Sequence, residues 1–256
     1  MRPVKILVFI ACCFASAFTF AQSPNTIEAD LLRSFKRIGY WDERKSSNKE
    51  GYDSLQKAND VFSKKLKSYT EKHAFTLNEP LTLLKKERLD IFTSSDGLFR
   101  IYSWDTWQGG TMHAYSDVIQ FKAGQKTHSK LFTNEDFAPS YSNLYTFKTS
   151  DKTYYLAVYG GSESTRYFYA GIKAFTIENG QLKENVRVIK TRSGLQNSIQ
   201  YEFDFSFNNS WDEVPQPTFD ATAKTIRIPL VNENGKITRK FITYKFTGQY
   251  FEKVKS

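Results

Sequence analysis

The segment from Trp104 to His113 concentrates the residue types that a ligand-binding loop uses. It reads Trp-Asp-Thr-Trp-Gln-Gly-Gly-Thr-Met-His, so two indoles, a carboxylate, an amide and an imidazole flank a double glycine. A flat indole can stack on a sugar ring while Asp105 and Gln108 bind hydroxyls. The segment therefore predicts carbohydrate contacts from Trp104, Asp105, Trp107, Gln108 and His113. The alternative is that both tryptophans fill the core and the glycines only permit a tight bend.

Two later loops have a related composition. Residues 160–166 read Gly-Gly-Ser-Glu-Ser-Thr-Arg, and a Trp-Asp-Glu sequence follows at 211–213. Ser162 lacks the Gly-x-Ser-x-Gly spacing of a nucleophile elbow, so a serine hydrolase is not indicated. From these loops we predict further ligand contacts by Ser162, Glu163, Arg166, Trp211 and Asp212.

The same loops also suggest a catalytic alternative. A glycoside hydrolase needs two carboxyl groups roughly 5 to 10 Å apart, and these loops supply several such groups: Asp105, Glu163, Asp212 and Glu213. The chain has three histidines, none of them in a metal-ligand spacing. We therefore expect no metal and no cofactor. A non-catalytic binding protein is the first hypothesis, and a cell-envelope hydrolase is the second.

The loops connect hairpins that resemble one another. Related stretches begin at Phe92, Phe147 and, more faintly, Phe219, and the first contains an Asp96-Gly97 turn. Asp-Gly favours a tight hairpin turn, because glycine tolerates positive φ. Alternation beyond this turn places apolar groups on both faces of the next strand, which predicts a strand covered on both sides. Further turns are predicted at Ala123-Gly124, Ser150-Asp151, Asn179-Gly180, Asn234-Gly235 and Thr247-Gly248.

These signals predict a mainly β protein with an N-terminal α-helical segment. The β domain spans 89–256, with repeat units near 89–133, 143–190 and 199–256. We expect an antiparallel meander of about three four-stranded units, propeller-like, and a β-sandwich is the alternative. Closed propellers usually have about four blades or more. Equivalent loops of repeated units tend to lie on one side, so the tryptophan-bearing loops should share a surface.

The helical segment spans 22–80. Its first helix should begin near Pro24 with Asn25 as cap, bury a face containing Ile27 and Leu31, and end at Gly39. The second helix has apolar residues at helical spacing, with lysines and serines opposite. Its predicted face contains Tyr52, Leu55, Phe62, Leu66 and Tyr69.

Residues 1–21 have the layout of a secretory signal peptide. A short basic region is followed by an apolar run that ends before Gln22. Cleavage after Ala21 would remove Cys12 and Cys13, the two cysteines of the chain, and leave a thiol-free protein. The alternative is a lipoprotein anchored at Cys12. Either way we expect an exported, periplasmic or extracellular protein with no membrane span in the mature chain.

The net charge of +9 comes from scattered basic residues. The densest clusters are short, as on a solvated face, and do not favour nucleic acid as a partner. Carbohydrate or another envelope protein is the expected partner. A third hypothesis is a structural envelope subunit that uses the helical segment as its contact.

Overall fold

The computed structural model describes residues 23–45, 49–109, 112–136, 138–208, 210 and 213–254. The described chain is mainly β with an N-terminal helical segment, as predicted. The helices are α1 (Pro24–Asp42), α2 (Lys49–Lys72) and the short α3 (Thr82–Lys86). Within the described residues, no helix has both the length and the apolar composition of a membrane span.

The start and end of α1 differ from the prediction. Ser23 is the cap, because its Oγ accepts a hydrogen bond from the Thr26 backbone N–H at 3.3 Å. Pro24 occupies the first turn, where a missing N–H costs little. Asn25 therefore lies inside the helix, and α1 continues through Gly39 to Asp42.

The apolar faces of both long helices lie against the first sheet. The predicted face of α1 is buried, and so are three of the residues predicted on α2. Tyr52 is 43% exposed, so the prediction for that residue was wrong. The shared core includes Ile27, Leu31, Phe35, Ile38, Leu55, Phe62 and Leu66.

The first sheet is an antiparallel sheet with the order β1-β2-β3-β4. Its strands are β1 (Asp90–Thr93), β2 (Phe99–Asp105), β3 (Tyr115–Ala123) and β4 (Lys126–Phe132). The Asp96-Gly97 turn forms as predicted, with Gly97 at φ 67°. Strand β2 is buried on both faces, which also confirms the prediction.

The rest of the chain forms two further sheets. The strands in the first half of this region are β5 (Ser140–Lys148), β6 (Thr153–Ser162), β7 (Tyr167–Glu178) and β8 (Gln181–Lys183). Those that follow are β9 (Ile189–Thr191), β10 (Gly194–Gln196), β11 (Ser198–Asp204), β12 (Thr218–Asp220), β13 (Thr225–Val231), β14 (Ile237–Phe246) and β15 (Phe251–Lys253). The remaining five predicted turns also join antiparallel neighbours.

The chain passes from the second sheet to the third and back, which was not predicted from the sequence: β9 and β10 belong to the third sheet, and β11 belongs to the second. The second sheet has the order β11-β7-β6-β5, with β8 beside β7. The third has the order β10-β9-β15-β14-β13-β12, and β15 pairs with β9 in parallel. Val188 and Ile189 are buried beside Phe251. This apolar contact holds the β9–β10 hairpin on the third sheet. The sheets are therefore not three equal four-stranded units.

The helices and the three sheets stack as successive layers. Phe99 and Ile119 of the first sheet pack on Tyr155 and Phe175 of the second. The opposite face of the second sheet packs on the third through another apolar cluster. Face-to-face packing of this kind occurs in β-sandwiches and between neighbouring propeller blades, so it is compatible with both predicted architectures.

Candidate functional site

Two of the predicted loops meet at one end of the first and second sheets. The His113 backbone N–H, between β2 and β3, donates to Ser162 Oγ at the end of β6, at 3.2 Å. The base of the first loop is closed by Thr106, whose N–H and hydroxyl both donate to the Ala114 carbonyl at 2.8 Å. The loop is therefore held by the β2–β3 ladder and touches the second sheet.

Asp105 organises the loop from within. Its Oδ2 contacts His113 Nδ1, and its Oδ1 accepts the Trp107 backbone N–H at 2.8 Å. The Asp105 side chain is 15% exposed and that of His113 is 43% exposed. Since Nδ1 is engaged with the carboxylate, Nε2 is the ring nitrogen left for another partner.

Trp107 combines an exposed indole with an unusual backbone. Its φ is 58°, in the left-handed region, and its exposure is 37%. Lys45 Nζ donates to the Trp107 carbonyl at 2.6 Å, and the same ammonium pairs with Asp42 at 2.8 Å. The indole meets the His113 ring edge-on at 5.8 Å. A left-handed backbone costs an L-residue roughly 1–2 kcal/mol, so contacts on both sides of this peptide hold it in a strained conformation.

Trp104 lies in the core, which corrects its prediction as a ligand contact. It is 1% exposed, its Nε1 donates to Asn59 Oδ1 at 3.2 Å, and its ring meets Phe62 edge-on at 5.1 Å. Strand alternation places its side chain on the helix-facing side of β2. Gln108, in contrast, is partly exposed beside Trp107, and its backbone N–H donates to Thr106 Oγ1 at 3.4 Å.

The remaining predicted residues are placed differently. Arg166 is bound to Asp204, with Nε at 2.7 Å and Nη2 at 2.5 Å from Oδ2. Hydrogen bonds from Arg166 and then Ser206 hold the pKa of Asp204 at about 2. Arg166 therefore has a structural partner already. Glu163 is exposed next to Ser162. Trp211 and Asp212 lie outside the described residues.

Sequence reasoning missed Asp117, a buried carboxyl between the first two sheets. It is 1% exposed and faces Ser103 across the β2–β3 ladder. Among the described residues, neither of its oxygens has a hydrogen-bond partner. Burial raises the pKa of Asp117 well above its usual value, although Ser103 and the Lys173 ammonium act against this shift. Its alternation with Ile119 and Phe121 was a readable signal that it faces a core.

Neither a metal centre among the described residues nor a known relative indicates the function of this protein. Within the described part of the chain, no group of three or more His, Cys, Asp or Glu side chains could hold a metal ion. Comparison of the chain with protein-family models, curated proteins and solved structures returned no match. We therefore base the assignment on the two touching loops and on the strained tryptophan that they present.

Proposed function

We propose that this protein is an exported, non-catalytic binding protein with carbohydrate as its ligand class, and that Trp107 is the central contact. The observation that supports this most is the exposed indole on a left-handed backbone, fixed by Asp105 and Lys45. Strained residues of this kind concentrate at binding sites, where the surrounding structure over-determines them. At 37% exposure, the indole presents an aromatic surface on which a ligand can stack.

The groups around the indole suit a polyol with one apolar face. A sugar ring stacked on the indole would place its hydroxyls near the imidazole of His113, the amide of Gln108 and the hydroxyl of Ser162. Asp105 uses both carboxylate oxygens to hold the loop, so we favour binding over the glycoside hydrolase alternative. Trp211 and Asp212 stay predicted contacts.

A binding titration tests the proposal. Peptidoglycan fragments and a panel of soluble glycans are titrated into the mature chain, followed by calorimetry and tryptophan fluorescence. Loss of a central aromatic contact usually costs about 2 kcal/mol, so Trp107→Ala should weaken binding roughly thirtyfold. The matched control is Tyr52→Ala, because Tyr52 on α2 is exposed to a similar extent. Unchanged affinity of Trp107→Ala, or an equal loss in the control, would refute the assignment of Trp107.

Export and architecture are part of the same proposal. The predicted signal peptide, including Cys12 and Cys13, lies outside the described residues. N-terminal sequencing of the exported protein should begin at Gln22, whereas an acylated start at Cys12 would identify a lipoprotein. The propeller-like arrangement is supported by the turns of the first two sheets, several of which line one pocket of about 550 Å³.

A further inference from the structure

A separate groove lies between β11, at the edge of the second sheet, and strands β9, β14 and β15 of the third. It has a volume of about 900 Å³, and its apolar wall contains Ile199 from β11, Ile242 and Tyr244 from β14, and Val254. Ile199 and Ile242 are only partly buried, whereas Ile172 and Ile226 deeper in the same interface are fully buried. Val254 is 44% exposed. The apolar packing between the two sheets is therefore left open at this end.

The mouth of the groove is basic. Lys190, Arg192 and Lys253 line it, together with the single carboxylate of Glu252. Glu252 pairs with Lys190 at 2.6 Å. Among the described residues, no ion pair is formed by Arg192 or Lys253. Within the described chain, two cations therefore line the groove without a counter-charge, next to an apolar wall.

We propose that this groove binds a long-chain carboxylate, with the alkyl chain against Ile199 and Ile242 and the head group between Arg192 and Lys253. The volume lies within the range of about 300–1,000 Å³ that is typical of small-molecule sites. The apolar wall matches an alkyl chain, which has no backbone polar groups to satisfy, better than it matches a peptide. The basic mouth selects an anionic head over a neutral one. This proposal is independent of the carbohydrate site.

A chain-length series on the full mature protein tests the apolar wall. Octanoate, decanoate and dodecanoate are titrated by calorimetry below their micelle concentrations. Each additional buried methylene should strengthen binding about fourfold. A flat series would show that the chain does not enter the groove and would overturn the proposal. The absence of saturable 1:1 binding would also overturn it.

Head-group selectivity tests the basic mouth. Dodecanol should bind at least about tenfold more weakly than dodecanoate, because the neutral head loses both charged partners. Dodecyl phosphate separates a general anion site from a carboxylate site: binding weaker than that of dodecanoate supports the proposal, and tighter binding overturns the carboxylate assignment. Equal binding of dodecanol and dodecanoate would also overturn it.

Two double variants carry the same change in net charge. Arg192→Glu/Lys253→Glu should weaken dodecanoate binding by about tenfold or more, since charged groups at the mouth change sign. Arg239→Glu/Lys240→Glu alters two exposed residues of β14 that do not line the groove, and it should leave the affinity unchanged. Equal losses in both variants would indicate non-specific attraction and overturn the site.

Blocking the groove gives an independent readout. Ile199→Trp should abolish dodecanoate binding, because the larger indole would occupy the space beside the apolar wall. Since this variant could fail to fold, Val254→Asp provides a second test at an exposed position. Val254→Asp should weaken dodecanoate binding while the thermal midpoint is unchanged. Wild-type affinity in a folded Val254→Asp protein would show that the alkyl chain does not contact this wall and would overturn the proposed site.

Discussion

Replacing Trp107 with glycine and, separately, with alanine measures the backbone strain at the candidate carbohydrate site. Both substitutions remove the indole and its edge contact with His113, so those losses cancel when the two variants are compared. The two variants differ in the free-energy cost of the left-handed backbone conformation at residue 107. The φ angle at this position is 58°. Glycine adopts this conformation freely, and alanine does not.

The expected difference follows from two opposing terms. A left-handed conformation costs alanine roughly 1–2 kcal/mol, which glycine avoids. The greater entropy of glycine in the unfolded chain offsets about 0.5–1 kcal/mol of that gain. Subtracting the midpoints of the two ranges, Trp107→Gly should therefore be more stable than Trp107→Ala by about 0.75 kcal/mol. For a chain of this size, that corresponds to a thermal midpoint roughly 1–4 °C higher.

Chemical denaturation with matched m-values provides the assay, and differential scanning calorimetry supplies the midpoints. Both variants should also lose glycan binding, so glycine should recover stability relative to alanine without recovering binding. If alanine proves as stable as glycine or more stable, residue 107 is not held in the left-handed region. The main support for the proposed binding surface would then be lost.

Three further predictions concern residues outside that contact. Trp104→Ala should lower the free energy of unfolding by about 3–5 kcal/mol, as expected for a buried tryptophan. Equilibrium urea unfolding measures this loss, and a clearly smaller value would contradict the core role of Trp104. Asp117→Val should stabilise the protein at pH 7 by roughly 1–3 kcal/mol, because it removes buried oxygens without partners. The folded pKa of Asp117 is raised above its ordinary 3.8, so charging destabilises the wild type as pH rises. The advantage of Asp117→Val should therefore shrink as pH falls towards that value, and a constant difference between pH 4 and pH 8 would contradict this account. Arg166→Gln should raise the pKa of Asp204 from about 2. In the wild type, the Arg166–Asp204 pair stabilises the fold above the ordinary aspartate pKa of 3.8, and this stabilisation is lost as pH falls through about 2. The variant should therefore unfold at a higher pH in an acid titration followed by circular dichroism. Identical curves for the two proteins would contradict a stabilising role of the pair.

Local chemistry made the hairpins predictable from the sequence. The Asp96-Gly97 turn needs only a side-chain acceptor and a residue that tolerates positive φ, both present in adjacent positions. The buried faces of the helices were equally readable, because helical spacing is a local property. The α1 cap was misassigned because Ser23 and Asn25 are both good caps, and only the position of Pro24 in the first turn separates them.

Sheet membership depended on contacts that are distant in sequence. The β9–β10 hairpin joins the third sheet because Ile189 is buried beside Phe251, which follows much later in the chain. The roles of the two tryptophans were ambiguous for a similar reason. Alternation showed which face of β2 holds Trp104, but not which layer covers that face. The strained backbone of Trp107 depends on Lys45, a contact between residues 62 positions apart.

The two interfaces of the second sheet differ in polarity, and this difference bears on where a ligand would be recognised. The interface with the third sheet is a continuous apolar cluster. The interface with the first sheet also encloses Asp117 and the partly buried Lys173, whose pKa is lowered by burial. Buried polar groups without full hydrogen bonding reduce the stability of an interface. The buried Asp117 carboxyl therefore lowers the stability of the packing between the first and second sheets. The contact between His113 and Ser162 lies at the end of this polar interface, so a ligand that touches both loops would stabilise the same pair of sheets that Asp117 destabilises.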